Sequence, residues 1–248
     1  MGQRDLKRLV AFSSVNHMGY VLLGVSVAAV ASANPADRAV GAVGATYQMV
    51  AHGLVTGALF LLVGMLSDRT GTREIARLSG LWNALPRWGG FLIFAMFASL
   101  GLPALAQFVG EVQIVLGALG VFAWAAVGMV IAIIITTAMF LWTLQRILLG
   151  KTPPEWSKLT PLSTRETTVL ATLALLIVML GVIPGPLTAV IDGALHGASV
   201  GPLHASGTLS TARTLPRSLQ ALVALTRDAT PRLTGLLSNL RAQVGSRD

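Results

Sequence analysis

The chain has 248 residues, 54% of them hydrophobic and only 11% charged, with a mean hydropathy of +0.72; a soluble domain carries about 25% charged residues, so these values describe a membrane protein. The formal net charge of +8 rests on arginine, since lysine occurs only at Lys7, Lys151 and Lys158. No basic module with interleaved aromatics accompanies it, which excludes nucleic acid as a partner and leaves membrane topology as the explanation. The absence of cysteine excludes disulfides, thiolate metal sites and Cys nucleophiles.

A basic start (Arg4, Lys7, Arg8) leads into an apolar run over about 9–31. Asn34-Pro35 marks a loop over Ser32–Arg38, and a second run covers about 39–66. The segment Ser67–Glu74 with Arg77 is a polar connection, and Trp82 and Trp88 flank the next entry, where interfacial aromatics are expected. Residues 88–149 are too long for one helix, which at 1.5 Å per residue would reach about 90 Å against a hydrocarbon core of about 30 Å. Two spans, 88–117 and 121–148, with a turn near Gly117–Gly120, fit that length. The first remains long unless Gly101-Leu102-Pro103 breaks it. Lys151–Lys158 is a loop, and a fifth run over 167–191 stops near Pro184-Gly185-Pro186.

The expected fold is an all-α polytopic transmembrane bundle of about five helices in residues 1–192, followed by a polar tail over 193–248. The start of the tail is rich in Gly, Ser and Thr. Residues 215–243 place leucines at helical spacing with Arg between them and an interruption at Pro231. That pattern fits an interfacial amphipathic helix or a loosely ordered terminus. Arg and Lys gather in the N-terminus and in the 67–87 and 146–165 connections, so that side is expected to be cytoplasmic and the tail outside.

Polar residues recur inside the apolar runs at helical spacing, which puts them on one face. Ser13, Asn16, His17 and Tyr20 share a face of the first helix, and Gln48, His52 and Thr56 a face of the second. Gln107 precedes Glu111 by four in the third. Glu111 is the only charged side chain between Trp88 and Arg146, and a carboxylate at membrane depth costs roughly 2.5–3.5 kcal/mol on insertion scales. The hydroxyls and amides are better explained by interhelical hydrogen bonds. Two histidines and a carboxylate point instead to a proton path: imidazole titrates near pH 6.5, and burial moves a carboxylate towards the same range. A helix broken at Gly101 and Pro103 frees backbone groups where a helix lines a cavity, as at the ion sites of secondary transporters. His17, His52 and Glu111 lie on different helices without metal-ligand spacing, so no metal is expected. No nucleotide or flavin fingerprint occurs. His196 and His204 read as solvated tail residues.

Four stretches carry a family likeness: Gln3–Tyr20 (QRDLKRLVAFSSVNHMGY), Gln48–Gly53, Thr72–Ile75, and Gly101–Pro103 with Phe108–Glu111. Over about residues 3–190 the chain resembles the antiporter-like subunit M family of respiratory complex I (NADH:quinone oxidoreductase), equivalent to mitochondrial subunit 4. The resemblance implies that His17 and His52 belong to a central hydrophilic axis and that Glu111 is the acid of a broken helix. Ser13, Asn16, Tyr20, Gln48, Gln107 and Lys7 would be its polar support. A Glu at 111 resembles subunit M, whereas subunits L and N and related antiporters usually carry Lys there. Ala104 stands where a second Gly is common after the Pro. The implied function is proton translocation in the membrane arm, driven by quinone reduction elsewhere, with no electron transfer on this chain. NADH, FMN, iron–sulfur clusters and quinone would sit on partner subunits, with no cofactor here. The expected partners are other membrane-arm subunits and the lipid bilayer, and the expected location is the bacterial cytoplasmic membrane.

A full subunit has about fourteen helices, including two inverted five-helix repeats, and the likeness covers only the last five. The chain is therefore expected to be truncated or split, with another chain or segment supplying the N-terminal helices. A cation/proton antiporter or membrane-bound hydrogenase subunit of the same superfamily is the alternative, and a non-conducting structural remnant is another.

Overall fold

A computed structural model describes residues 3–197, and every described element is helical apart from one isolated bridge between Asp5 and Glu74. The expected tail helix over 215–243 and the side chains of His196 and His204 lie outside the described residues. Helix α1 (Leu6–Ala29) starts at the Asp5 cap, whose side chain accepts from the Arg8 amide at 2.9 Å. Its first turn is pinned to the 73–75 segment by Leu6 N–H to the Arg73 carbonyl (2.9 Å) and Ile75 N–H to the Arg4 carbonyl (2.8 Å).

Helix α2 (Pro35–Thr70) is longer at both ends than the apolar run. Asn34 caps it by accepting from the Ala36 amide at 2.9 Å, Pro35 takes the first helical position, and Gly71 ends it at φ +66°. Pro at the first turn and a left-handed Gly just past the end are favourable helix boundaries. Residues 35–38 and 67–70, expected in connections, are therefore helical. At 36 residues α2 extends about 54 Å, beyond the hydrocarbon layer.

The 67–87 connection holds a short 3-10 turn and a one-turn helix, α3 (Leu81–Ala84). Trp82 is half-exposed, but Trp88 is fully buried and donates its indole N–H to the Leu62 carbonyl at 2.9 Å. The expected interfacial role of Trp88 is thus replaced by a core role, because the carbonyl of buried Leu62 in α2 satisfies its one donor.

Helices α4 (Pro86–Ser99) and α5 (Ala106–Val121) are the two halves of the broken helix, separated by residues 100–105. Gly101 at φ +66° and Ala104 at φ +72° turn the backbone there. The turn expected at Gly117–Gly120 falls instead at Phe122, which ends α5 and begins α6 (Ala123–Leu148). Gly117 and Gly120 serve packing: a Cβ on Gly117 would lie 2.9 Å from the Asp37 carbonyl and the Gly41 amide, and one on Gly120 would overlap the Asp37 carboxylate. Gly24, Gly41 and Gly44 make matching close approaches, so α1, α2 and α5 meet backbone to backbone, the packing that small residues allow between membrane helices.

The expected fifth helix over 167–191 is two. Helix α7 (Thr164–Val182) starts at a Ser163/Glu166 capping box, and α8 (Gly185–Gly197) follows after Ile183-Pro184, where proline ends helical geometry. Residues 193–197, expected as the start of the polar tail, belong to α8.

Helix α2 runs through the middle of the bundle, touching α1, α4, α5, α7 and α8. The core around it holds Leu59, Leu62, Leu92, Met96 and Phe140. Helices α1, α2, α6 and α7 are each long and apolar enough to cross a bilayer, and large side chains such as Trp124, Ile134 and Leu175 point outward. Exposed apolar faces of this extent belong to a lipid or partner environment. The protein is an all-α, multi-pass membrane protein.

Candidate functional site

The polar stripes of α1, α2 and α5 converge beside the break. His17, His52, Gln107 and Glu111 are all buried, at 2, 7, 0 and 4% exposure. His17 Nδ1 lies 3.4 Å from Glu111 Oε1 and also 3.4 Å from Gln107 Nε2. On the other side of the ring, Nε2 lies 3.3 Å from Ser99 Oγ. The His17 and His52 rings face each other with centroids 5.4 Å apart and planes tilted by 41°. His52 Nε2 is 2.6 Å from Ser14 Oγ, a hydrogen bond whose direction follows the His52 tautomer, and Thr56 Oγ1 is 3.2 Å away. The side chains thus form a sequence Ser14–His52–His17–Glu111.

Position explains these contacts. Gly101 has no side chain, and the Glu111 carboxylate fills the space a Cβ would take. Asn16 donates to Tyr20 Oη (2.6 Å) and to Thr136 Oγ1 (2.9 Å), tying α1 to α6, while Tyr20 packs edge-on to His17 at 5.4 Å. A narrow gap between His17, Tyr20, Ser99, Glu111 and Thr136 lies at the centre. Gln48 is fully buried over Gly110, and neither of its amide atoms has a hydrogen-bond partner among the described residues; Gln107 Oε1 and Glu111 Oε1 are likewise without one. Such groups are rare in folded proteins.

Of the residues singled out in the sequence, His17, His52, Glu111, Gln107, Gln48, Asn16 and Tyr20 come together. Ser13 is buried nearby, but its hydroxyl donates to the Val10 carbonyl of its own helix at 2.8 Å. Lys7 does not join the group: it is exposed three turns before His17 and lines a groove with Ser67, Asp68 and Arg73. Gly101 and Pro103 lie in the break as expected. Ser14, Ser99 and Thr136 are the residues sequence reading missed. Ser14 stands three before His17, and Ser99 is the lone hydroxyl before Gly101, so both carried a positional signal. Among the described residues no trio of His, Cys, Asp or Glu has the geometry to hold a metal.

Fold and site together define a class: helical membrane proteins built around a broken helix beside buried ionisable side chains. Within that class the chain belongs to the NADH:quinone oxidoreductase/Mrp antiporter transmembrane family, whose model matches residues 1–137. It is 38% identical over 218 residues to NADH-quinone oxidoreductase subunit M of Rhodobacter capsulatus, covering 86% of this chain and 40% of that protein. The subunit M of Pseudomonas aeruginosa is 35% identical over 195 residues, covering 79% and 36%. Among solved structures, a chain of respiratory complex I from Thermus thermophilus aligns with a TM-score of 0.65 at 31% identity, covering 78% of this chain and 40% of that one. A chain of the Mrp complex from Dietzia aligns with a TM-score of 0.67 at 22% identity over 80% and 44%, a likeness of fold. The chain spans about two-fifths of the length of these curated relatives.

Proposed function

We propose that this chain is part of a proton-translocating membrane-arm subunit of an NADH:quinone oxidoreductase, with Glu111 as its proton carrier and His52 and His17 as the relay. The observation that carries this is His17 Nδ1, placed at the same 3.4 Å from a donor amide, Gln107, and from an acceptor carboxylate, Glu111. One nitrogen cannot accept from Gln107 and donate to Glu111 at once. The bare nitrogen is held by Gln107; the protonated nitrogen turns its hydrogen to Glu111 and can hand it over. His52, ring to ring with His17, supplies the next position. Proton transfer requires a positioned acid–base pair, directly or through one water, and His17 Nδ1 stands in ion-pair contact with Glu111 Oε1 at 3.4 Å.

Quinone reduction on partner subunits, which carry NADH, FMN, iron–sulfur clusters and quinone, would drive the cycle. Other membrane-arm subunits would flank the chain, and another chain or segment would supply the N-terminal helices. The location is the bacterial cytoplasmic membrane, with the Arg-rich 67–87 and 146–165 connections cytoplasmic. In the assembled enzyme, Glu111→Gln should leave electron transfer and assembly intact and lower the protons moved per electron. An unchanged proton yield would sink the assignment and favour a non-conducting structural remnant. The second reading is a cation/proton antiporter or membrane-bound hydrogenase subunit, supported by the family's shared fold. Na+-dependent transport in vesicles would favour it.

A further inference from the structure

Away from the histidines, a groove of ≈ 430 Å³ opens between the start of α4 and one lane of α7. Arg87 stands on one wall, and Thr164, Thr167, Thr168, Thr172 and Leu175 are prominent on the other. Arg87 is exposed and makes no ion pair or hydrogen bond among the described residues. The carboxylate at the same end of α7, Glu166, is already held by Arg69 at 2.7 Å and by the Ser163 amide at 2.7 Å, so it does not compensate Arg87. The α7 N-terminus is closed by its own capping box, which leaves Arg87 as the cation of the groove.

Beyond its first turn, where Arg165 is also exposed, the rest of the outward surface of α7 is apolar, with Val169, Leu176, Val178, Met179 and Val182 exposed. Hydroxyls are confined to the lane that faces the groove. Those of Thr167, Thr168 and Thr172 each donate at 2.9 Å to the carbonyl four residues earlier, which leaves only acceptor lone pairs towards the groove. The lane from Thr164 to Leu175 spans about 16 Å, close to the half-thickness of a hydrocarbon core of about 30 Å.

The geometry points to a binding site for one anionic phospholipid of the bilayer. Arg87 takes the phosphate, the threonine oxygens accept from the headgroup hydroxyls of a lipid such as phosphatidylglycerol, and an acyl chain follows the lane down to Leu175. An uncompensated cation at the mouth and a leaflet-length lane of weak polarity match the charge and shape of that ligand. A membrane-surface arginine attracts anionic lipid headgroups electrostatically.

The test uses the full chain in nanodiscs containing phosphatidylglycerol and phosphatidylcholine, with the lipids retained per protein counted by native mass spectrometry. Wild-type protein should keep phosphatidylglycerol in preference to phosphatidylcholine. Arg87→Gln should weaken that retention about fivefold, the worth of one surface cation, and Arg87→Lys should preserve most of it; circular dichroism checks that both fold. Equal retention by Arg87→Gln and wild type, or no headgroup preference in wild type, would overturn the proposal. A photocrosslinking side chain at Thr168 in the assembled complex gives an independent reading. A lipid adduct supports the site, and an adduct to another transmembrane helix overturns it.

Discussion

Gly101 and Glu111 occupy one another's space: the carboxylate sits where a side chain on residue 101 would begin, and residue 101 holds φ +66°. The break in the helix and the position of the acid are therefore one feature. The left-handed backbone brings Gly101 against the carboxylate, and the missing Cβ lets the acid reach His17 rather than turn away from it.

Gly101→Ala tests that coupling. The left-handed conformation alone costs a non-glycine residue about 1–2 kcal/mol, and the methyl group also meets the carboxylate. We expect a lower melting temperature in detergent, and proton transfer in the assembled complex reduced by about tenfold or more, since small misplacements at a reacting pair have effects of that order. The control is Gly90→Ala in α4, where a Cβ meets nothing within 4 Å. It should be neutral or stabilising by up to about 1 kcal/mol. Equal behaviour of the two variants would mean that the Gly101–Glu111 contact does not position the acid.

Ala104 makes the opposite prediction. It holds φ +72° in the same break, and its carbonyl packs against Gly181 of α7. A glycine there relieves the backbone without removing a buried side chain, because Ala104 is exposed. Ala104→Gly should raise stability by about 1 kcal/mol, read as a higher melting temperature of the helical signal. A fall in melting temperature would contradict the strain.

The broken helix, the His–Glu grouping and the membrane class were legible because each is written in local chemistry. Glu111 stands alone in an apolar run, Gly101-Leu102-Pro103 interrupts it, and His17 and His52 recur with polar neighbours at helical spacing. The role of Gly117 and Gly120 was not legible: a glycine pair reads as a turn, and only the approach of Asp37 and Gly41 from α2 shows that they are packing positions. Trp88 misled for a related reason, since the Leu62 carbonyl that satisfies it lies 26 residues away. Spacing in the sequence favours Ser13, but the packing of α1 against α2 brings Ser14 to His52 and leaves the Ser13 hydroxyl on its own helix.

That last distinction is testable. Ser14 Oγ is 2.6 Å from His52 Nε2, while the Ser13 hydroxyl is spent on its own helix. Removing one hydrogen bond of this kind is worth about 1 kcal/mol. Ser14→Ala should therefore lower proton transfer several-fold and Ser14→Thr should retain it, with assembly unchanged in both. Ser13→Ala should be close to wild type in transport. If Ser13→Ala proves the more damaging, His52 is not oriented by Ser14.

Arg69 locks the end of α2 to the start of α7 through a fork that lysine cannot copy. Its Nε donates to the Thr160 carbonyl at 2.8 Å, Nη1 to the Met65 carbonyl at 2.9 Å, and Nη2 to Glu166 Oε2 at 2.7 Å and the Pro161 carbonyl at 3.3 Å. Glu166 in turn closes the capping box on Ser163, so one carboxylate oxygen joins two helix ends. The Arg69–Glu166 pair is partly exposed, and exposed ion pairs are worth little. The larger loss comes from the carbonyls, which one ammonium group cannot reach together. Arg69→Lys, although charge-conserving, should lower stability by about 1–2 kcal/mol, whereas Glu166→Gln, which keeps an acceptor oxygen for the cap, should cost less. Thermal melts of the two variants in the same detergent check the order. A Lys variant as stable as wild type would show that the charge alone, and not the planar fork, holds this corner of the bundle together.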